Sequence, residues 1–145
     1  MNEIQAQPGS DSDLEPSSQK SLEGKTIFQL DDDPHQGILI GRYLKDAGCH
    51  FRAVQTAEAL WGLLERETCD LLILDVMMPG LDGWALFDQI RSGNEYADLP
   101  VLFVTCVVDR DQEAQTCDSS QRCVTLAKPV DKDRLQRAAA QLLEA

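Results

Sequence analysis

Short apolar runs alternate with amphipathic helical patterns along the chain, and this alternation restricts it to few folds. Leu71–Leu74 and Val101–Val104 are apolar throughout, which is typical of strands covered on both faces of a sheet. Between such runs, apolar residues recur at helical spacing, as in the segment 40–47. Strands that alternate with helices predict an α/β fold: a five-stranded parallel sheet with helices on both faces.

The pattern predicts five strands and five helices. The predicted strands are Thr26–Leu30, Phe51–Val54, Leu71–Leu74, Val101–Val104 and Val124–Ala127. The predicted helices fall within residues 34–47, 57–64, 84–90, 109–118 and 132–143.

Residues 1–24 differ in composition from the rest of the chain. They are rich in Gln, Ser and Pro and hold five acidic residues and one basic residue. Such a composition predicts a disordered acidic tail. The folded domain is therefore expected to cover residues 25–145, within the usual size of one domain.

Charge and cysteine content exclude several classes of function. The net charge is −12, which argues against direct binding to nucleic acid or to an anionic membrane. No run reaches the roughly 20 apolar residues of a membrane span, and no signal peptide is visible. Five cysteines, an odd number, predict free thiols in a reducing cytoplasm.

Polar residues follow four of the predicted strands. Asp31-Asp32-Asp33 follows the first strand, Asp75 the third, Thr105 the fourth and Lys128 the fifth. Functional groups in parallel sheets gather at the carboxyl ends of the strands. We therefore expect these residues to converge at one edge of the sheet.

The clustered carboxylates predict a bound cation. Like charges about 4 Å apart repel by roughly 1 kcal/mol in water and about 4 kcal/mol near a protein surface. Mg²⁺ takes oxygen ligands and usually one or two carboxylates, and Asp31, Asp32 and Asp75 suit that role. Alternatively, the acidic run merely begins a helix, where acids are favoured.

Asp75 has the setting of a nucleophile that forms an aspartyl phosphate. Phosphoryl transfer requires alignment and neutralised charge; Lys128 supplies a positive charge, and the Thr105 hydroxyl can donate to a phosphoryl oxygen. The simpler alternative is a residue that begins a loop. The bond between Lys128 and Pro129 tolerates the cis form, and the sequence leaves its isomer open.

Four segments resemble the receiver domain of two-component response regulators, a likeness that runs from about residue 25 to residue 145. They are Leu30–Pro34, Leu74–Gly83, Val104-Thr105 and Lys128-Pro129. The resemblance implies a flavodoxin-like, doubly wound sheet with strand order 2-1-3-4-5. It also implies that a sensor histidine kinase or histidine phosphotransfer protein donates a phosphoryl group to Asp75. Such a domain is not an enzyme beyond slow self-dephosphorylation, and phosphorylation can make it dimerise.

The resemblance further implies the roles of individual residues. Mg²⁺ would be held by Asp32, Asp75 and the Met77 carbonyl, with Asp31 acting partly through water. Phosphorylation would draw Thr105 inward and shift an equilibrium between inactive and active surfaces.

Three departures from the family pattern affect how the signal is read. Thr125 stands where the family usually has an aromatic residue, and Ser119–Arg122 replaces a common Gly-Ala. Met77 and Val107, two positions after Asp75 and Thr105, are apolar. We expect them to hinder the hydrolytic water and prolong the phosphorylated state.

Other functions fit less well. An aspartate-nucleophile phosphatase of the haloacid-dehalogenase type needs a second Asp where Met77 stands, and no nucleotide-binding glycine loop occurs. A degenerate receiver that acts only as a binding module remains an alternative. The chain is expected to be a single-domain regulator without a DNA-binding domain, or else a fragment of a longer regulator or hybrid kinase.

Overall fold

A computed structural model describes residues 21–106 and 122–144 as a parallel sheet between two layers of helices. The strands are β1 (Thr26–Leu30), β2 (His50–Val54), β3 (Leu71–Leu74), β4 (Met77–Met78), β5 (Leu81–Asp82), β6 (Val101–Thr105) and β7 (Cys123–Ala127). The helices are α1 (Pro34–Asp46), α2 (Ala57–Arg66), α3 (Gly83–Ser92) and α4 (Lys132–Glu144). The main sheet has the order β2-β1-β3-β6-β7, and β4 and β5 form a separate antiparallel hairpin.

The predicted α/β class and strand order are confirmed. The β4–β5 hairpin changes only the numbering, because the five long strands keep the predicted sequence of neighbours. All pairs in the main sheet are parallel. The helix predicted at 109–118 lies outside the described residues.

Local side-chain contacts explain where the helices begin. The Asp33 side chain accepts a hydrogen bond from the His35 backbone N–H, and Thr56 does the same for Ala59. Each contact satisfies a backbone donor that the first helical turn leaves unpaired. After α1, Gly48 adopts a φ of +88°, a left-handed conformation that favours glycine.

The two faces of the sheet bury separate cores. In β1, Ile27 faces α1 and α4, whereas Phe28 and Leu30 face α2 and α3. This alternation is the period of two that side chains follow along a strand. Burial on both faces explains why the central strands are apolar throughout.

The folded part of the chain includes residues before the expected boundary. Leu22, which the composition assigns to the tail, is fully buried in the core beside α1. Its carbonyl accepts a hydrogen bond from the Cys49 thiol at 3.3 Å, and the Gly24 N–H donates to the Gly48 carbonyl at 2.9 Å. The core therefore begins a few residues before the predicted start at residue 25.

The expectation of free thiols is only partly correct. Cys49, Cys69 and Cys106 are free, but Cys123 is disulfide-bonded. Cys117 lies outside the described residues. Within the described ranges, no helix has the length and apolar character needed to cross a membrane.

Leu22 provides a test of the domain boundary. Because its side chain is fully buried, Leu22→Ala is expected to lower the free energy of unfolding by about 2–5 kcal/mol. Ile38→Ala, at a position 63% exposed, should change it by less than about 0.5 kcal/mol. Urea denaturation measures both variants, and equal effects would place Leu22 outside the cooperative fold.

Candidate functional site

The carboxyl ends of the strands bring together the residues that the sequence singles out. Asp31 follows β1, Asp75 follows β3, Thr105 ends β6 and Lys128 follows β7. Leu30 pairs with Leu74 across β1 and β3, so the next residue on each strand is one of the two aspartates. The predicted convergence at this edge is thus present in the structure.

Three carboxylates form a compact acidic cluster. One carboxylate oxygen from each of Asp31, Asp32 and Asp75 lies within 4.8 Å of the other two. Asp31 and Asp75 are buried, whereas Asp32 is exposed. Burial, with a smaller contribution from the charge of Asp75, raises the pKa of Asp31 despite hydrogen bonds from the Asp33 N–H and from Lys128.

Lys128 balances two of these charges. Its ammonium Nζ lies 2.9 Å from Asp31 Oδ2 and 3.3 Å from Asp75 Oδ2. Burial by itself would lower the pKa of Lys128, but hydrogen bonding and attraction to the two carboxylates leave that pKa raised. The lysine therefore stays charged and offsets part of the negative charge at this edge.

The loop after Asp75 is held close to the sheet. The Met77 backbone N–H donates to Asp75 Oδ1 at 3.3 Å, and the Gly83 N–H donates to the Val76 carbonyl at 2.8 Å. A Cβ atom on Gly83 would overlap the carbonyl oxygen of Asp75 and lie 2.7 Å from Val76 Cα. A side chain at position 83 would therefore require the loop or α3 to shift. The Met77 side chain is 65% exposed beside the acidic cluster.

Thr105 and Thr125 lie on the neighbouring strands β6 and β7. Both are buried, and the Lys128 N–H donates to the Thr105 carbonyl at 2.9 Å. The Lys128-Pro129 bond is cis.

Thr125 pairs in register with Phe103, whose ring lies 4.3 Å, centroid to centroid, from that of Trp84. The aromatic side chains next to position 125 thus come from β6 and α3, and position 125 itself contributes none.

Sequence reasoning missed Asp82 as a supporting residue of the site and considered Asp33 only as part of a possible helix start. Asp33 caps α1, and Asp82 caps α3 by accepting from the Trp84 N–H at 2.9 Å. The signal was available, because an aspartate directly before Pro34 or Gly83 is typical of a helix start. The alternative that the acidic run begins a helix is therefore correct for Asp33, while Asp31 and Asp32 belong to the acidic cluster.

The donor set fits a small hard cation. Three clustered carboxylates beside an exposed loop supply only oxygen ligands, which Mg²⁺ prefers, and leave room for the waters it usually retains. Among the described residues, no second group of three potential metal ligands is found.

The doubly wound parallel sheet and the acidic cluster at the carboxyl ends of its strands define the general class of this protein, an α/β domain of the flavodoxin-like fold. The sequence profile of the response regulator receiver domain matches residues 27–140. The chain shares 32% identity over 124 residues with the response regulator Rre1 of Synechocystis sp., across 81% of this chain and 51% of that protein. It shares 33% identity with an uncharacterized 14.6 kDa protein of Leptolyngbya boryana, across 84% of this chain and 92% of that protein.

Solved structures have the same fold. The signal receiver domain of a DNA binding response regulator from Colwellia psychrerythraea superposes with a TM-score of 0.70 at 21% identity, over 83% of this chain and 99% of that one. The chain therefore belongs to the response regulator receiver domain family of two-component signalling. It spans about half the length of the Synechocystis relative.

Gly83 provides a test of the loop that carries Asp75. Gly83→Ala is expected to cost about 1–3 kcal/mol of unfolding free energy, because backbone atoms surround the added methyl group. Gly93→Ala is the matched control, since its Cβ would approach nothing closer than 4.0 Å. Thermal or urea unfolding compares the two variants, and equal stability would show that the loop can move away from α3.

Proposed function

We propose that this domain accepts a phosphoryl group on Asp75 from a sensor histidine kinase or a histidine phosphotransfer protein. The observation that carries the proposal is the placement of the Asp75 carboxylate, 3.3 Å from the Lys128 ammonium and within the acidic cluster. The pairing places one positive charge beside a carboxylate that is nearly buried yet next to solvent-exposed groups. A positive charge beside an aspartate is what neutralisation of a transferred phosphoryl group requires.

The transfer step follows from these positions. A carboxylate oxygen of Asp75 attacks the phosphorus of a phosphohistidine, an O–P bond forms, and the N–P bond breaks with its electron pair leaving on the imidazole. Lys128 offsets the charge that the phosphoryl oxygens carry. Thr105, at the end of β6, would donate its hydroxyl to one of these oxygens.

Asp31, Asp32, Asp75 and the Met77 carbonyl would hold Mg²⁺, which neutralises phosphoryl charge when bound. The contacts of Asp31 support an indirect role. Its Oδ1 accepts from the Asp33 N–H at 2.9 Å and its Oδ2 from Lys128 at 2.9 Å. Asp32 is exposed and suits direct coordination.

The output would be a change in a protein-binding surface. Phosphorylation would draw Thr105 toward Asp75. It would thereby shift the equilibrium between two conformational states that already exchange. With Thr125 in place of an aromatic, the nearby aromatic contact is that of Phe103, which pairs in register with Thr125, with Trp84. We place the domain in the cytoplasm, where it would act by protein contact, either alone, as a phosphorylation-dependent dimer, or within a longer regulator or hybrid kinase.

Phosphorylation tests the proposal directly. In Mg²⁺ with a small phosphoryl donor, intact mass spectrometry should show one added phosphoryl group on the wild type and none on Asp75→Asn. Chelation of Mg²⁺ should abolish the gain, because the acidic cluster would then repel the donor.

Asp88→Asn is the control for loss of one carboxylate, since Asp88 lies on α3 outside the acidic cluster. It should be modified like the wild type. A wild type that neither gains a phosphoryl group nor binds Mg²⁺ would instead indicate a degenerate receiver that serves as a binding module.

Met77 is expected to prolong the phosphorylated state. Its exposed apolar side chain lies beside Asp75 and cannot orient a hydrolytic water. Met77→Asn should therefore speed loss of the phosphoryl group by about tenfold, equivalent to about 1.4 kcal/mol in the barrier. Decay after donor removal measures this effect, with Met77→Leu as the apolar control. Rapid decay of the wild type, unchanged by Met77→Asn, would contradict the prediction.

A further inference from the structure

A furrow of 710 Å³ runs between α1 and the edge strand β2, and no residue of the acidic cluster lines it. Its apolar part is lined by Pro34, Gly37, Ile38, Gly41, Phe51 and Ala53. A Cβ atom on Gly37 would lie 2.8 Å from Ala53 Cβ, and one on Gly41 would lie 2.8 Å from the Phe51 ring. The two glycines are buried and let α1 pack closely against β2 at the floor of the furrow, next to Ile38, a large apolar residue that is 63% exposed.

One rim of this furrow carries two cations. Arg42 and Lys45 are exposed and line the furrow. Neither has an ion-pair partner among the described residues, although nearby Lys132 pairs with Asp46 at 3.2 Å. In a chain of net charge −12, two such cations beside an apolar surface favour an occupant that is both acidic and apolar.

The chain itself enters the fold at one end of this furrow. Leu22 is held by the Cys49 thiol, and the Gly24 N–H donates to the Gly48 carbonyl, just beyond the last turn of α1. Residues 1–20 precede this point and include the sequence Asp11-Ser12-Asp13-Leu14-Glu15. In that segment every second residue is acidic, and the large apolar residue Leu14 stands between two of the acidic residues.

The distances allow the segment to reach the furrow. Leu22 lies eight positions after Leu14, and an extended chain over eight residue steps spans up to about 26–29 Å. The 13 residues of α1 are about 20 Å long. Leu14 can thus reach Ile38, two turns before the end of α1, without full extension.

We propose that residues 11–15 dock in the furrow of the same molecule, with Leu14 against Ile38 and with Asp13 and Glu15 facing Arg42 and Lys45. A short tether gives an effective concentration on the order of millimolar, so a weak contact is enough for substantial occupancy. Salt weakens the docking, because the Debye length falls from about 8 Å at physiological ionic strength to about 3 Å at 1 M.

The docking is independent of phosphoryl transfer. None of Asp31, Asp75 and Lys128 lines the furrow. A tail substitution should therefore leave modification by a small phosphoryl donor unchanged, so failure of the docking proposal and failure of the phosphorylation proposal give different results.

The test is ¹⁵N NMR of the full chain. In Asp13→Lys, the amide shifts of Ile38, Arg42 and Lys45 should move from their wild-type positions toward those of the wild type in 1 M NaCl. Glu3→Lys is the matched control, because it makes the same charge change in the tail outside the docked segment, and it should leave these shifts in place. The exchange Asp13→Lys with Lys45→Asp should restore docking.

Two outcomes would overturn the proposal. If the amide shifts around the furrow respond equally to Glu3→Lys and Asp13→Lys, they report only a non-specific electrostatic effect of the charge on the tail. Shifts that depend on protein concentration would assign the furrow to a second copy of the chain.

Discussion

The contact of the Lys128 ammonium with the carboxylates of Asp31 and Asp75 is the interaction on which the site depends. It joins groups that are 97 and 53 residues apart in the sequence. Two carboxylates that are nearly buried repel each other and lose hydration, and one cation between them offsets both effects. The acidic edge that can bind a metal ion and the pocket that can accept an anion are therefore parts of one charge arrangement.

Strand register sets the geometry of that contact. Leu30 pairs with Leu74, and Thr105 pairs with Ala127, directly before Lys128. A shift by one residue in any of these ladders would turn the side chains to the opposite face. The solid apolar strands, each packed against two cores, hold the register, so the cores indirectly determine the distances among the charges.

Much of this arrangement is predictable from the sequence, because apolar runs and helical spacing encode the main-sheet strands and the polar residues that follow them. The apolar run of β3 locates both ends of that strand and the position of Asp75. What the sequence does not indicate depends on contacts that only the folded chain makes. Leu22 is one apolar residue among polar neighbours, Gly83 lies against the carbonyl of Asp75, and Cys123 is disulfide-bonded. No local pattern encodes such contacts.

The order of the charged residues along the chain has a consequence during synthesis. The acidic residues emerge first, and the lysine that balances them follows Asp75 by 53 residues. Until β7 is added to the edge of the sheet, the cluster lacks its cation. A partly synthesised chain would therefore hold the carboxylates without the means to accept an anion, so competence to receive a signal would coincide with completion of the sheet.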